Sequence, residues 1–139
     1  MALRYFGEAA VPAIPDLIAS LGYPGVAGIG CAPETLAAIG PAALPAVEAA
    51  LSSPREETRE TAAYSLCLFI ERGIRSPSLF PSLVRAIEDP AGGNRNAVSA
   101  LGQLAKENPA ALPVLERALQ DERLASAAKA ALDHLKSAK

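Results

Sequence analysis

A proline recurs at the start of four similar segments of the chain. It is found at positions 12, 45, 81 and 113 of the 139 residues, and each is followed by an apolar helical pattern. A period of thirty-odd residues is typical of repeat arrays, in which each unit buries its apolar face against its neighbours. The spacing therefore predicts a linear stack of similar units.

The prolines introduce the first helix of each unit. Apolar residues follow at the i, i+3, i+7 spacing of an amphipathic helix, and these positions are Leu44, Val47, Leu51, Phe80, Leu83, Ile87, Leu112, Leu115 and Leu119. An earlier proline, at 41, 77 and 109, suits a first helical turn, whereas the proline four residues later is expected to remove a bond and kink the helix.

A second set of helices alternates with the first and carries stripes of small residues at 62–66, 97–101 and 128–132. In each, a leucine is followed three residues later by another apolar residue, which keeps one face buried. Short polar turns at 52–54, 89–93 and 120–122 separate the two helices of a unit. Alanine and leucine dominate the apolar content, and the chain has no Trp and three Phe. The class is therefore predicted to be all-α.

These residues resemble the HEAT repeat family, in particular the short HEAT-like repeats of phycobilisome lyases. The resemblance rests on residues 58–66, on the pair Asp89-Pro90 and on the stripe 97–102. It implies one domain over residues 1–139, a right-handed α-α superhelix (α-solenoid) of about four helix pairs at 8–40, 41–75, 76–107 and 108–139. The family's arginine position holds Arg59 once and then Asn94 and Ala125, so most of an arginine ladder is missing.

Charge and composition restrict the kinds of partner. With 13 basic and 15 acidic residues the formal net charge is −2, which argues against nucleic acid and anionic lipid as general partners. No apolar run approaches the ~18 residues needed to cross a bilayer, and the first residues have no secretory or transit pattern. We expect a cytoplasmic protein without membrane association.

Residues capable of chemistry are scattered. Cys31, Cys67 and His134 lie in three different repeats without the paired spacing of a zinc site. We interpret the cysteines as buried filler and His134 as a solvated residue at a helix end. Glu56 and Glu57 open a second helix, where carboxylates favour the positive helix end, with a binding patch as the alternative. The prediction is no enzyme, no metal and no cofactor.

Two segments depart from the repeat pattern. Residues 22–30 contain four glycines and a proline, so the second helix of the first unit is expected to restart near Pro33; we interpret the segment as a structural loop, with partner contact as an alternative. Residues 1–7 match the tail of a second helix, either as the stub of a preceding repeat or as a natural cap. The apolar residues of this stub make self-association plausible.

The resemblance also implies where a partner binds. In HEAT-like arrays the second helices line the concave side, and their polar outward positions form one strip. Here we predict a strip of Arg59, Tyr64, Asn94, Arg95, Asn96, Gln103 and Lys129. An ordinary solvated face is the alternative interpretation.

Three functional hypotheses follow from these features. The first is a non-catalytic scaffold or adaptor that binds another protein, since solenoids expose long continuous surfaces. The second, implied by the resemblance alone, is a bilin lyase subunit or chromophore chaperone, against which the few aromatic residues argue. The third is a nucleic-acid-binding HEAT-like module, for which few basic residues are available.

Overall fold

The structure, a computed structural model, describes residues 12–21, 32–89 and 94–137. These residues form helices α1 (Ile14–Ser20), α2 (Ala32–Ile39), α3 (Leu44–Ala50), α4 (Glu56–Glu71), α5 (Leu79–Glu88), α6 (Arg95–Leu104), α7 (Ala111–Ala118) and α8 (Ala125–Ser137). They contain no strand, which confirms the all-α prediction. Residues 1–7, residues 22–30, Cys31 and residues 90–93 lie outside the described residues, so the predictions for them remain predictions.

The helices form a two-layer stack. Each odd-numbered helix packs against the even-numbered helix that follows it, and one such pair falls within each of the ranges 8–40, 41–75, 76–107 and 108–139. The second helices α2, α4, α6 and α8 contact one another in sequence, whereas contacts between first helices are sparser. The fold is therefore an α-solenoid in which the second-helix layer is the more tightly packed.

Small residues permit this close packing. Ala62, Ala97 and Ala128 occupy corresponding positions of α4, α6 and α8, and all three are fully buried. Alanine also has the highest intrinsic helix propensity, so these positions favour the helix and allow close approach at once. The stripes that the sequence shows are thus the contact lines between neighbouring repeats.

Leucines complete the core between the two layers. Leu36, Leu66 and Leu101 hold corresponding places in α2, α4 and α6 and are fully buried, together with Phe69. Burying one such side chain contributes about 1.5–3 kcal/mol. Because every repeat adds the same apolar positions, the core is continuous along the stack.

The first helices are not kinked by their second proline, which corrects the expectation from the sequence. The α-helices begin later than predicted, so Pro45, Pro81 and Pro113 lie in their first turns, where the N–H has no intrahelical partner in any case. A 3-10 turn, Pro41–Ala43, precedes α3. Pro41 belongs to this 3-10 turn, and Pro77 and Pro109 lie in the turns before α5 and α7, so none of the three is in an α-helix.

Glycine ends two of the second helices. Gly40 follows α2 with φ +95° and Gly73 follows α4 with φ +81°, a region that side chains rarely enter. After α4, the N–H of Ile74 donates to the Phe69 oxygen and that of Gly73 to the Ile70 oxygen, both at 3.0 Å. This is a Schellman motif, which turns the chain back toward the next first helix.

Candidate functional site

The outward side of the second helices forms one surface with a regular register. With Ala62, Ala97 and Ala128 aligned, three rows of partly or fully exposed positions run across α4, α6 and α8. We call these nine residues the second-helix surface: Glu60, Arg95 and Ser126; Tyr64, Ser99 and Ala130; Leu68, Gln103 and His134.

Tyr64 occupies the middle row of this surface. It is 42% exposed and is one of three large apolar side chains that the described residues leave exposed. Ser99 and Ala130, its neighbours in the row, are small, and Leu68 lies one helical turn away, half-buried. Tyr64 therefore presents an aromatic ring without a bulky neighbour from the same row.

The first row contains residues of opposite charge. Glu60 on α4 corresponds to Arg95 on α6, and beyond the last row Glu71 corresponds to Lys106. The ion pairs formed among residues 12–21, 32–89 and 94–137 involve other side chains. The surface thus carries one acidic residue from α4, Glu60, and one basic residue from α6, Arg95.

Asn94 does not belong to the exposed strip, which corrects the prediction. It is only 5% exposed. Its side-chain oxygen accepts the N–H of Ala97 at 3.1 Å and caps α6, while its amide nitrogen donates to the backbone oxygen of Arg59 at 3.0 Å. Asn94 therefore joins two repeats and starts a helix. An asparagine just before an apolar helical pattern is an N-cap signal that could have identified this role.

Arg59 and Asn96 also make bonds within the stack. The Arg59 guanidinium donates to the backbone oxygen of Ser53 at 2.8 Å, and the Asn96 side-chain amide donates to the backbone oxygen of Glu60 at 2.9 Å. Both side chains are half-buried. The two asparagines thus bond neighbouring repeats, because an amide nitrogen can donate to an α4 carbonyl. Asn94 does so at the position where the family has an arginine.

Lys129 lies on a different face from the second-helix surface. In register it corresponds to Val98 of α6, just as Asp133 corresponds to Gly102 and Lys136 to Ala105. On α6 these positions are buried, and Gly102 faces Ala131 of α8. Lys129, Asp133 and Lys136 therefore lie on the side of α8 that points away from α6, which corrects the predicted strip.

Of the predicted strip residues, Tyr64, Arg95 and Gln103 fall in the three rows of the second-helix surface. Glu60, Leu68, Ser99 and His134 accompany them and were not predicted. Glu60 and Leu68 lie one helical turn from Tyr64 on α4, and Ser99 and His134 follow by the offsets of 35 residues between Ala62 and Ala97 and of 31 between Ala97 and Ala128. That register could have been applied to the sequence.

A family comparison identifies the repeat. The model for HEAT repeats matches residues 43–136, which is more than half of the 139-residue chain. The chain belongs to the HEAT repeat family. HEAT repeats generally mediate protein–protein interaction and are generally non-catalytic. A search of curated proteins and a search of solved structures find no match.

The cysteine and histidine of the described HEAT repeats do not form a reactive centre. Cys67 is 7% exposed, and burial, with a smaller contribution from the charge of Glu71, raises the pKa of its thiol to about 12. Its thiol donates to the backbone oxygen of Asn96 at 3.6 Å. The prediction of a buried filler is confirmed for Cys67, while His134 is exposed on α8. The described residues contain no group of three metal-binding side chains.

Two shallow grooves lie between the first helices of the HEAT array. One, of about 380 Å³, separates α3 from α5 and has Leu51 and Ala86 in its wall; the other, of about 220 Å³, lies between α5 and α7. A 2.9 Å ion pair between Glu88 and Arg117 links α5 to α7. None of the described helices is long and apolar enough to span a membrane.

Proposed function

We propose that this HEAT array is a non-catalytic scaffold or adaptor that binds another protein through its second-helix surface. The observation that carries the proposal is Tyr64, 42% exposed in the middle of three rows of residues from successive repeats. Solenoids use such continuous surfaces of stacked elements for binding. The proposal places the protein in the cytoplasm.

The chemistry of the surface supports protein binding. Tyrosine and arginine are the residue types enriched at binding hot spots, because an aromatic ring offers a large area with few rotatable bonds and a guanidinium offers several donors. Tyr64 and Arg95 lie on neighbouring helices, one row apart. A partner that covers both would bury an apolar centre and meet charges of both signs at its edge.

Affinity capture with three versions of the protein tests this proposal. The parent is compared with Tyr64→Ala/Arg95→Glu and with Arg85→Glu, which makes the same charge change on an exposed arginine of α5. Neither Tyr64 nor Arg95 belongs to the buried core, so circular dichroism should show unchanged helicity for all three. We expect one protein to be captured by the parent and by Arg85→Glu, and lost by the double variant.

Titration with the purified partner then measures how much affinity the variants lose. Loss of a central tyrosine at a hot spot costs about 2 kcal/mol, which is roughly a 30-fold rise in Kd. Capture that the double variant retains, or that Arg85→Glu also abolishes, would contradict the proposed surface. The bilin-lyase and nucleic-acid alternatives remain predictions, for which visible absorbance after mixing with bilin and salt-dependent retardation of DNA are the checks.

A further inference from the structure

Backbone carbonyls of α4 are bonded by the first residues of the next second helix. The side-chain amide of Asn94 donates to the backbone oxygen of Arg59 at 3.0 Å, and that of Asn96 donates to the backbone oxygen of Glu60 at 2.9 Å. Asn94 is buried and Asn96 is half-buried, and a hydrogen bond shielded from water is electrostatically stronger than one in solvent. The start of α6 is therefore tied to α4.

The end of α6 is tied to α4 as well. Arg75, which follows α4, donates hydrogen bonds of 3.0 and 2.6 Å to the two carboxylate oxygens of Glu107, in the turn after α6. The same guanidinium donates to the backbone oxygen of Ile70 at 2.9 Å, so it is anchored on α4 itself. A two-point pair of arginine and carboxylate fixes orientation as well as distance. Polar bonds thus hold α6 against α4 at both of its ends.

The boundary between α6 and α8 is formed differently. Small residues make its contact, with Gly102 of α6 facing Ala131 of α8 and with Ala128 fully buried. Dispersion attraction depends on close fit, since a gap of about 0.5–1 Å already forfeits roughly a quarter to a half of it. The attachment of α8 is therefore lost steeply once the two helices begin to separate.

Exposed charges bridge the corresponding first helices. Glu88 of α5 pairs with Arg117 of α7 at 2.9 Å, and the two side chains are 51% and 64% exposed. The charge of Asp89 also attracts Arg123, which lies in the turn before α8. Ion pairs in solvent contribute little to stability, because water and salt screen them. We expect these bridges to hold the last repeat less firmly than the asparagine bonds hold α6.

Two leucines of α7 are exposed although their counterparts in α3 are buried. The segments that contain them, PAALPVLERAL and PAALPAVEAAL, are identical at eight of eleven positions. Leu44 and Leu51 of the α3 segment are 3% and 4% exposed, whereas Leu112 and Leu119 of the α7 segment are 38% and 37% exposed. Local opening costs least where few apolar contacts are buried. α7 is thus less firmly attached than α3.

We propose that α7 and α8 form one unit that undocks from α5 and α6 while the preceding helices stay folded. α7 and α8 pack against each other, so they can move together. The hinge consists of residues 108–110, which follow directly on the anchored Glu107 and precede α7. The array therefore has a docked form and a form in which its last repeat is released.

Release of the last repeat changes the second-helix surface. Ser126, Ala130 and His134 of α8 supply the last position of each of its three rows. A partner that covers both α6 and α8 binds the docked form and raises its population. This consequence rests on the proposed function, whereas the undocking itself can be measured on the free protein.

Native-state hydrogen exchange of the isotopically labelled full chain tests the inference. It gives an opening free energy for each protected amide, and the dependence of that energy on low concentrations of urea reports how much surface each opening exposes. We expect the most protected amides of α7 and of α8 to share one opening free energy and one urea dependence. Both values should be lower than those of the most protected amides of α4.

Asn94→Ala separates release of the last repeat from unfolding of the whole array. Asn94 keeps its bonds when α7 and α8 leave, so their loss destabilises the docked and the released form equally. Exchange should become about 30-fold faster for the most protected amides of α4 and stay unchanged for α7 and α8. Arg85→Ala, at an exposed site of α5, is the control and should change neither group.

Gly102→Ala crowds a contact that undocking relieves, and it should speed the exchange of α7 and α8 at least fivefold. Three results would overturn the inference. Equal acceleration of α4, α7 and α8 by Asn94→Ala would mean that the array opens as one unit. Different opening free energies for α7 and α8 would mean that α8 frays by itself. Unchanged exchange of α7 and α8 in Gly102→Ala would mean that their opening does not break the contact with α6.

Discussion

Gly102 on α6 faces Ala131 on α8 so closely that a Cβ added to the glycine would lie 2.8 Å from the Cβ of the alanine. Real Cβ atoms do not approach this closely. Glycine is unfavourable inside a helix by about 1 kcal/mol relative to alanine, so its presence in α6 has a packing reason. The distance between the last two second helices depends on this missing methyl group.

Gly102→Ala should therefore lower the free energy of unfolding by about 1 kcal/mol, because overpacking of roughly 1–3 kcal/mol exceeds the gain in helix propensity. Urea denaturation measures the change. Ser99→Ala, an exposed site on the same helix, is the control and should not destabilise. Combining Gly102→Ala with Ala131→Gly should cost less than the sum of the two single changes; simple additivity would refute the contact.

Asn94→Ala should reduce the free energy of unfolding by about 2 kcal/mol. It removes the cap of α6 and leaves the backbone oxygen of Arg59 without its amide donor. Asn94→Ser keeps a capping oxygen and should fall between the parent and the alanine variant. Thermal or urea unfolding gives the order, and Arg95→Ala, next to it but exposed, should change stability by less than about 0.5 kcal/mol.

Cys67 should make the protein less stable at high pH. Burial raises the pKa of its thiol to about 12, so the unfolded chain releases this proton first and stability falls as the pH rises from about 9 toward 12. Between pH 8 and pH 10 the parent should lose about 1.5 kcal/mol more than Cys67→Ala, which lacks the thiol. Equal losses in the two proteins, measured by urea unfolding, would contradict a buried neutral thiol.

The ion pair between Arg75 and Glu107 should be visible in a carboxylate titration. Two hydrogen bonds from the Arg75 guanidinium, at 3.0 and 2.6 Å, lower the pKa of Glu107 below its usual range. The pair therefore stabilises the fold above the usual pKa of glutamate and stops doing so as the pH falls through the lowered value. NMR titration should show the Glu107 pKa rising in Arg75→Gln and unchanged in Arg72→Gln; a parent value already in the usual range would rule the pair out in solution.

Much of the fold could be predicted from the sequence because the residue patterns that mark each repeat are local. The proline and alanine patterns report helix starts and contact lines, and the restart of the second helix near Pro33 is confirmed by α2. The prediction of a kink was wrong, because the residues expected to form the first helical turns form 3-10 or turn structure instead. The α-helices begin two or three residues later, and periodicity does not resolve such a shift in a helix boundary.

Part of the candidate site could also be predicted. Tyr64 and Arg95 are exposed as expected, because the helical period places them opposite the buried alanines. Asn94 could not be assigned to a surface by period alone, since a polar side chain at a helix start can cap the helix and reach a neighbouring carbonyl. Placing Lys129 on the correct face of α8 required the residue correspondence between α6 and α8.

The class, the repeat and the family of this protein follow from its sequence, since helix propensity, proline placement and amphipathic period are local properties of the chain. Which of the equivalent residues are buried depends on tertiary packing. Leu44 and Leu112 stand in nearly identical segments, yet one is buried and the other is in solvent. The physical reason is that burial in a stack depends on the neighbouring repeat, and a pattern within one helix carries no information about what packs against it.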